Sequence, residues 1–202
     1  MKKLITILLI ITVFFSCKKT KSFEGSIEYK VTSEVYCDTL SLEFIKKTSG
    51  DSCSVIYDNG NIEWKIYNSS LWSGSIYNNR KNELYYFSQE SDEIFYLDCN
   101  KVDAENESFE ILEKQDTILD FSCDLLIVKS KYSEASWTGQ ERIRYFYSAK
   151  ELPLDPNIYS QYNFNSQNTI IEKAKGIPLR IVDRFKDFSI TYEAKIINRN
   201  KQ

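Results

Sequence analysis

Runs in which apolar and polar residues alternate recur along most of the chain, and they limit its fold more than any other feature. In the first run, Phe23 and Ile27 fall on one face, whereas Glu24 and Lys30 fall on the other. A period of two is typical of a β-strand that buries one face. The run 185–197 places five residues on one face in the same way: Phe188, Ile190, Tyr192, Ala194 and Ile196. Such runs predict a mainly β protein.

Turn residues separate the alternating runs, which recur about every ten residues. Asn59-Gly60 between two such runs predicts a two-residue β-hairpin. Asp155 followed by Pro156 predicts the start of one short helix near residues 155–162. Further strands are expected, among other places, at 40–45, 83–88, 121–129, 141–148, 169–173 and 177–183. We therefore predict a single antiparallel sheet of roughly ten strands, curved or forming an open barrel.

The chain begins with MKKLITILLIITVFFSC, which has the layout of an export signal. Two lysines precede an apolar run of twelve residues from Leu4 to Phe15. As a helix this run spans only ~18 Å, whereas the hydrocarbon core of a bilayer needs ~30 Å, so a permanent membrane span is not expected. Ser16 and Cys17 resemble the end of a bacterial lipoprotein signal, which implies that Cys17 becomes the lipid-modified first residue.

The anchor signal also predicts how the chain is organised and where it is located. The predicted parts are a signal peptide at 1–16, a lipidated tether at 17–22, a single β-rich domain at 23–197 and a polar tail at 198–202. The tether is basic and would suit anionic membrane head groups. Because no Asp follows Cys17, resemblance to enterobacterial lipoproteins implies the outer membrane, in its periplasmic or its surface leaflet. The alternative is a soluble secreted protein in which this cysteine is incidental.

Histidine is absent from the chain, which excludes Ser-His-Asp and Cys-His catalysis as well as His-based metal sites. Any enzyme of this sequence would have to rely on carboxylates, Lys, Tyr or Cys. No catalytic motif is present, so a non-enzymatic protein without a cofactor is expected. The net charge is −3, and the 26 basic and 29 acidic residues are interspersed. Without a basic patch, nucleic acid is not an expected partner.

Four cysteines remain if Cys17 carries lipid: Cys37, Cys53, Cys99 and Cys123. An even number of cysteines in an exported chain suggests disulfides, and bridges between sequence neighbours, Cys37 with Cys53 and Cys99 with Cys123, are preferred. Each bridge would close a loop of ~15–25 residues and stabilise the fold by about 3 kcal/mol. A four-thiolate zinc site is one alternative, although no Cys-x-x-Cys occurs, and free buried thiols are another.

An incompletely closed sheet would leave an apolar groove in which acyl chains could bind. Seven aromatic residues are predicted to line it: Trp64, Trp72, Phe87, Tyr145, Tyr147, Phe188 and Tyr192. The alternative is that these side chains fill a solid core. Four arginines could meet a phosphate or a lipid head group, or could simply occupy outward-facing strand positions that discourage edge pairing: Arg142, Arg144, Arg180 and Arg184.

Four segments of the chain, taken in order, have a familiar pattern. They are FEGSIEY at 23–29, TILDFSCD at 117–124, YFYSAKELP at 145–153 and KGIPL at 175–179. In these segments the chain resembles the GLPGLI family of bacterial envelope proteins and its relatives, whose fold is like that of the lipoprotein carriers LolA and LolB. The resemblance implies a large antiparallel sheet curled around a helix or lid, open at one end, with an apolar concave face. It implies no catalytic residue.

Three functions are compatible with the sequence. The preferred hypothesis is a cell-envelope lipoprotein that binds or presents an apolar ligand, either a lipid or an acylated partner, in an open β-barrel. The second is a structural or adhesive surface lipoprotein whose β-sandwich core is filled. The third is a carboxylate-based hydrolase, which requires two carboxyl groups ~5–10 Å apart in a cleft. An apolar cavity, a solid core or an acidic cleft would distinguish the three.

Overall fold

A computed structural model describes residues 21–101, 106–131 and 141–200 of the 202-residue chain. Within these ranges the chain forms eleven strands and two α-helices. The strands are β1 (Gly25–Val35), β2 (Ser52–Asp58), β3 (Asn61–Tyr67), β4 (Trp72–Asn78), β5 (Glu83–Ser88), β6 (Ile94–Asp98), β7 (Asn106–Ile118), β8 (Phe121–Lys131), β9 (Glu141–Ala149), β10 (Ile177–Arg184) and β11 (Phe188–Arg199). The helices are α1 (Leu42–Ser49) and α2 (Gln167–Ala174), and a 3-10 turn at Phe164–Ser166 precedes α2.

All the described strands belong to one antiparallel sheet in the order β6-β5-β4-β3-β2-β1-β11-β10-β9-β8-β7. Strands β1 to β6 form a meander that runs outward from the centre, and strands β7 to β11 form a second meander that returns from the other edge. β1 and β11 join the two meanders along their whole lengths. The edge strands β6 and β7 do not pair with each other in the described sheet. The predicted mainly β fold, a single open and curved antiparallel sheet of roughly ten strands, is confirmed.

The hairpin predicted at Asn59-Gly60 connects β2 to β3. Both turn residues have a positive φ, 49° for Asn59 and 80° for Gly60. This is the combination that a two-residue turn needs if its twist is to match that of the flanking strands, and Asn and Gly tolerate it better than other residues. The turn therefore fixes the register in which Val55 pairs with Trp64.

The strand predicted at 40–45 is wrong, because this part of the chain opens helix α1. Ser41 caps the helix, and its hydroxyl accepts a hydrogen bond from the Phe44 amide at 3.4 Å. Ile45 is the buried apolar residue of the helix, whereas Phe44 stays exposed. Gly50 ends the helix at a φ of 74°, a value that favours glycine. The alternation over 40–45 therefore does not indicate a strand, because this segment is the start of a capped helix.

The short helix expected near 155–162 is instead a run of turns. The Asp155 carboxylate accepts a hydrogen bond from the Asn157 amide at 3.0 Å, and the Tyr162 amide donates to the Tyr159 carbonyl at 3.0 Å. Such local bonds compete with a regular helix. Helix α2 replaces the strand predicted at 169–173, and it buries three residues at helical spacing: Ile170, Ile171 and Ala174.

The alternation predicted along β11 changes face at a bulge. Ile27 pairs with Ile197 and Tyr29 pairs with Ala194, so β11 has one more residue than β1 between these two pairs. An extra residue on one strand moves all the residues beyond it to the opposite face. Ile196 is consequently 47% exposed, while Ile197 packs against the core. The prediction that Ile196 shares a buried face with Ala194 is wrong for this reason.

Residues 150–163, called the closing segment below, cover the concave face at the end of the sheet where β1 begins. Leu152, Leu154 and Tyr159 of this segment are buried. The Tyr162 ring stacks on the Tyr77 ring of β4, with centroids 3.9 Å apart and an angle of 4° between the planes. The closing segment follows β9, so this stack joins the two halves of the sheet across the concave side.

The predicted disulfides are wrong, because the structure shows all four cysteines as free thiols: Cys37, Cys53, Cys99 and Cys123. Cys53 pairs with Tyr29, and β1 then extends ~20 Å from Tyr29 to Val35 before the chain reaches Cys37. A disulfide needs Cα atoms within ~7 Å of each other, so Cys37 and Cys53 are too far apart to form one. Cys99 follows the edge strand β6, whereas Cys123 lies on β8, next to the opposite edge strand β7.

Thiol labelling tests this arrangement. Burial raises the pKa of Cys53 and of Cys99 to about 12, and that of Cys123 to about 11. These raised pKa values keep all three thiols neutral near pH 8, and the three side chains are buried from solvent. We expect a maleimide to modify only Cys37 in the folded domain, and all four cysteines in denaturant without reductant. Fewer than four modified cysteines in denaturant would show a disulfide and contradict the structure.

Candidate functional site

A cavity of about 310 Å³ lies between the concave face of the sheet and helix α2. One wall comes from β2 to β5, the other comes from β9 to β11, and α2 lies over the space between them. Most of the lining is aromatic or aliphatic, and it includes Tyr57, Trp64, Phe146, Ile170, Ile181 and Tyr192. A concave apolar space of this kind is typical of a small-molecule site.

The Trp64 indole forms a wall of the cavity that its neighbours hold in place. Tyr29 stacks against it at a centroid distance of 6.2 Å, and Tyr192 meets it edge to face at 5.8 Å. The Tyr29 hydroxyl donates to the Pro178 carbonyl at 2.6 Å. Ring contacts of these two geometries are favourable. The aromatic wall therefore belongs to β1, β3 and β11, whose pairing fixes its shape.

The cavity is closed at the end covered by the closing segment. The lining residues there are almost fully buried: Tyr57, Ile62, Tyr77, Ser148, Leu154 and Tyr162. The stacked Tyr77 and Tyr162 rings form part of this end. Ser148 differs from the other five in carrying only a small polar group. The side chains around this end are mainly aromatic or aliphatic.

The opposite end of the cavity carries charge. The Arg142 guanidinium donates two hydrogen bonds to the Asp183 carboxylate, at 3.2 and 2.7 Å, and it also lies 5.4 Å from the centre of the Phe185 ring. The two charged side chains keep 20% and 13% of their surface exposed. A bidentate pair of this type is geometrically specific and neutralises both charges. The polar end of the cavity is thus the more exposed end.

Arg144 is a buried cation beside the Arg142 pair, and its side chain is only 2% exposed. Its Nη2 atom donates to the Asn165 carbonyl at 3.0 Å and lies 3.5 Å from the Glu107 carboxylate. Ser166, which precedes α2, donates to the same carboxylate. Buried charges are tolerated only when they are paired and hydrogen-bonded. This network connects β7, β9 and the start of α2, so it positions the helix over the cavity.

The orientation of β9 is opposite to the one implied by the prediction that Tyr145 and Tyr147 line the groove. Arg142 and Arg144 share the concave face with Phe146, so neither arginine is an outward-facing strand position. No local signal could have shown this, because Asp183 lies 41 residues from Arg142 and Glu107 lies 37 residues from Arg144. Asp183 and Glu107, which pair with these two arginines, are the part of the site that sequence reasoning missed.

Only some of the aromatic residues predicted to line a groove meet at the cavity. Trp64 and Tyr192 line it. The other five are not among its lining residues: Trp72, Phe87, Tyr145, Tyr147 and Phe188. Phe146 faces the cavity, so its neighbours Tyr145 and Tyr147 fall on the other face of β9.

Several of these other aromatic side chains have partners elsewhere. The Tyr147 ring lies 5.3 Å from the Arg180 guanidinium on the outer face. Phe188 stacks on Phe185 at 4.5 Å. Trp72, 37% exposed, contacts Phe95 of the edge strand β6 at a centroid distance of 6.3 Å. These aromatic side chains stabilise the outer face and the rim of the sheet.

The described residues contain no group of three or more Cys, Asp or Glu side chains that could hold a metal ion. Asp183 is the one acidic residue among the described residues that line the cavity. In the part of the chain that the structure describes, neither helix is long and apolar enough to cross a membrane.

No protein-family model and no curated protein matches the chain. Among solved structures, the lipoprotein LppX of Mycobacterium tuberculosis matches with 11% sequence identity and a TM-score of 0.37, over 98% of this chain and 97% of that chain. LprF from Mycobacterium bovis matches with 8% identity and a TM-score of 0.37, over 89% and 88% of the two chains. Likeness at this level carries no argument about function, and the resemblance to GLPGLI proteins stays a prediction.

The Arg144 network gives a stability prediction. Arg144→Met leaves the Glu107 carboxylate without its cation, so we expect the free energy of unfolding to fall by about 3 kcal/mol in urea denaturation. Arg142→Met affects a more exposed pair and should cost clearly less. The double variant Arg144→Met/Glu107→Gln should recover part of the loss. Equal small losses for both single variants would show that the network does not hold α2.

Proposed function

We propose that the chain is a lipid-anchored protein of the bacterial cell envelope, and that it holds an apolar ligand in the cavity without catalysing a reaction. The ligand class is a lipid or the acyl chain of an acylated partner. The observation that carries the proposal is the apolar cavity of about 310 Å³ between the sheet and α2. A water molecule needs only ~10–15 Å³ measured in the same way, so this space has room for a ligand of many atoms.

The distribution of polarity along the cavity fits an amphipathic ligand better than a fully apolar one. The lining is apolar along Trp64, Phe146 and Ile170, while the pair of Arg142 and Asp183 marks the more exposed end. A chain inserted from that end would bury its methylene groups, each contributing ~0.8 kcal/mol. Its polar head would stay beside hydrogen-bonding groups near solvent.

The proposed anchor joins the domain at the closed end of the cavity. The Phe23 amide donates to the Pro153 carbonyl of the closing segment at 2.6 Å, and the Phe23 ring meets the Tyr57 ring edge to face. The polar end, where β9 begins, is therefore at the opposite end of the strands from the tether. In this arrangement the ligand would enter on the side away from the anchor. Attachment through Cys17 to the outer membrane, in either leaflet, is part of the proposal.

The two rival functions have less support. A filled β-sandwich needs two packed sheets, whereas all the described strands belong to one sheet with a cavity behind it. A carboxylate-based hydrolase needs a pair of acids, and the described lining offers only Asp183, whose carboxylate binds Arg142.

Filling the cavity should weaken ligand binding. Residues 18–202 contain every described contact, and this fragment can be titrated with a fluorescent polyene fatty acid. Ser75→Phe adds a ring to the cavity wall, and we expect affinity to fall at least ~10-fold because each displaced methylene loses ~0.8 kcal/mol. Ser54→Phe is the matched control, since Ser54 alternates with the buried Val55 and lies on the outer face. Equal affinities for both variants would exclude the cavity as the binding site.

The anchor has a separate test. Cells that express the full chain are grown with an alkyne-tagged palmitate, and we expect the tag on the wild-type protein and not on Cys17→Ser. Three acyl chains would hold the protein stably on a bilayer, whereas one chain would bind only marginally. An untagged wild-type protein, or one that keeps residues 1–16 in the cell, would contradict the anchor.

A further inference from the structure

Strand β6 is an edge strand whose outer side is not covered by any other described strand. It pairs with β5 alone and stands at one end of the strand order. All five of its residues are exposed. Four of the five are apolar: Ile94 at 59%, Phe95 at 48%, Tyr96 at 64% and Leu97 at 38% exposure. An exposed, regular and apolar edge is a template for pairing with another strand, and proteins usually protect such an edge.

The opposite edge strand, β7, has the protection that β6 lacks. Its register against β8 shifts between Leu112 and Asp116, where three residues of β7 oppose one residue of β8. Lys114 lies in this bulge with a φ of 50°. Bulges and charged side chains keep an edge from pairing. β6 has neither a register shift against β5 nor a lysine or proline. The unprotected edge is therefore confined to one side of the described sheet.

The backbone of β6 directs hydrogen-bonding groups outward at alternate residues. The Cys99 amide donates to the Asn82 carbonyl at 3.0 Å, so the backbone groups of Cys99 face β5. Because the facing direction alternates along an antiparallel strand, Ile94, Tyr96 and Asp98 direct their amide and carbonyl groups away from β5. No described strand pairs with these outward groups.

A second copy of β6 fits this edge in one antiparallel register. When Tyr96 lies opposite Tyr96 of the second copy, all five residues of both strands pair, and outward backbone groups meet outward backbone groups. Phe95 then lies opposite Leu97 of the second copy, twice, which is a favourable cross-strand contact. A register centred on Phe95 would put Asp98 directly opposite Asp92. A register centred on Leu97 would extend the pairing into the turn that ends β6.

The two ends of β6 differ in charge, and an antiparallel pair brings unlike ends together. Three exposed acidic residues precede the strand: Glu90, Asp92 and Glu93. Three exposed basic residues lie in the turns beside its other end: Arg80, Lys81 and Lys101. The acids at that end are Glu83 and Asp98. The acidic end of each copy therefore faces the end of the other copy at which basic residues outnumber acids, and this complementarity favours a second copy as the occupant.

We propose that β6 is an interface through which two copies of this protein pair, antiparallel and centred on Tyr96, so that their two sheets continue into one. A stable interface typically buries ~1,200–2,000 Å², and contact limited to one short strand on each copy makes a weak, reversible dimer. No residue of β6 lines the cavity. The pairing is therefore independent of the proposed ligand.

Sedimentation velocity of residues 18–202, from micromolar to millimolar concentration, tests the interface. We expect a monomer–dimer equilibrium that added salt weakens, because salt screens the charges at the strand ends. Tyr96→Pro should raise the dissociation constant at least ~tenfold, since each dimer loses two backbone hydrogen bonds. Proline is tolerated there because the Tyr96 amide does not bond to β5. Phe44→Ser is the matched control: it removes a 55% exposed ring from α1 and should leave the equilibrium unchanged.

A crosslink tests the register in a Cys37→Ser background. Opposite residues of a bonded antiparallel pair have Cα atoms ~5.5 Å apart, which suits a disulfide. We therefore expect Tyr96→Cys to give a disulfide-linked dimer under a mild oxidant. Ile94→Cys is the control, because in this register Ile94 lies ~13 Å along the strands from Ile94 of the second copy. It should stay uncrosslinked.

The other outcomes would overturn the inference. A protein that stays monomeric at millimolar concentration, with no crosslink through Tyr96→Cys, has no such interface. Equal crosslinking of Tyr96→Cys and Ile94→Cys would indicate random collision instead of a fixed register. Assemblies that grow beyond the dimer would show that β6 pairs with a different edge. The proposed function is tested separately, because Tyr96→Pro should bind the fluorescent fatty acid as the wild-type protein does.

Discussion

The structure depends on how a wide sheet covers its own concave apolar face. In the part of the chain that the structure describes, the eleven strands do not bury that face by closing on themselves, because the edge strands β6 and β7 do not pair with each other. The chain covers it with two pieces of the β9–β10 connection. The closing segment seals one end through the stack of Tyr162 on Tyr77, and α2 packs Ile170 and Ala174 against β8, β9 and β10. The two pieces do not fill all the space above the curved sheet. The cavity is the space that remains between them and the sheet.

Charge inside the fold belongs to the same arrangement. A helix over an apolar cavity has few side chains to hold it, and the network of Arg144, Glu107 and Ser166 supplies directional bonds at its start. Burying the Arg144 guanidinium costs free energy that only close partners offset. The charges therefore position α2 and also make one end of the cavity polar. The same residues connect the stability of the fold to the asymmetry of the proposed site.

Local sequence patterns predicted the features that local interactions decide. The Asn59-Gly60 turn and the alternation of β1 depend only on neighbouring residues, and both occur as expected. Helix α1 was missed because Ser41 and Gly50 cap a segment too short to show helical periodicity. The inward direction of Arg144 could not be read from the sequence, because its partners come from distant strands and the loop before α2. The groove prediction found Trp64 and Tyr192 but not α2, since nothing local shows which helix covers a sheet.

The proposed function requires that the interior of this protein is a ligand cavity and not a solid core. Native mass spectrometry of residues 18–202, purified from bacteria without detergent, tests this most directly. We expect a species heavier than the polypeptide by one small lipid-like molecule, which organic extraction removes and which a lipid extract restores. A spectrum that shows only the mass of the polypeptide, before and after incubation with lipid, would contradict the proposed function.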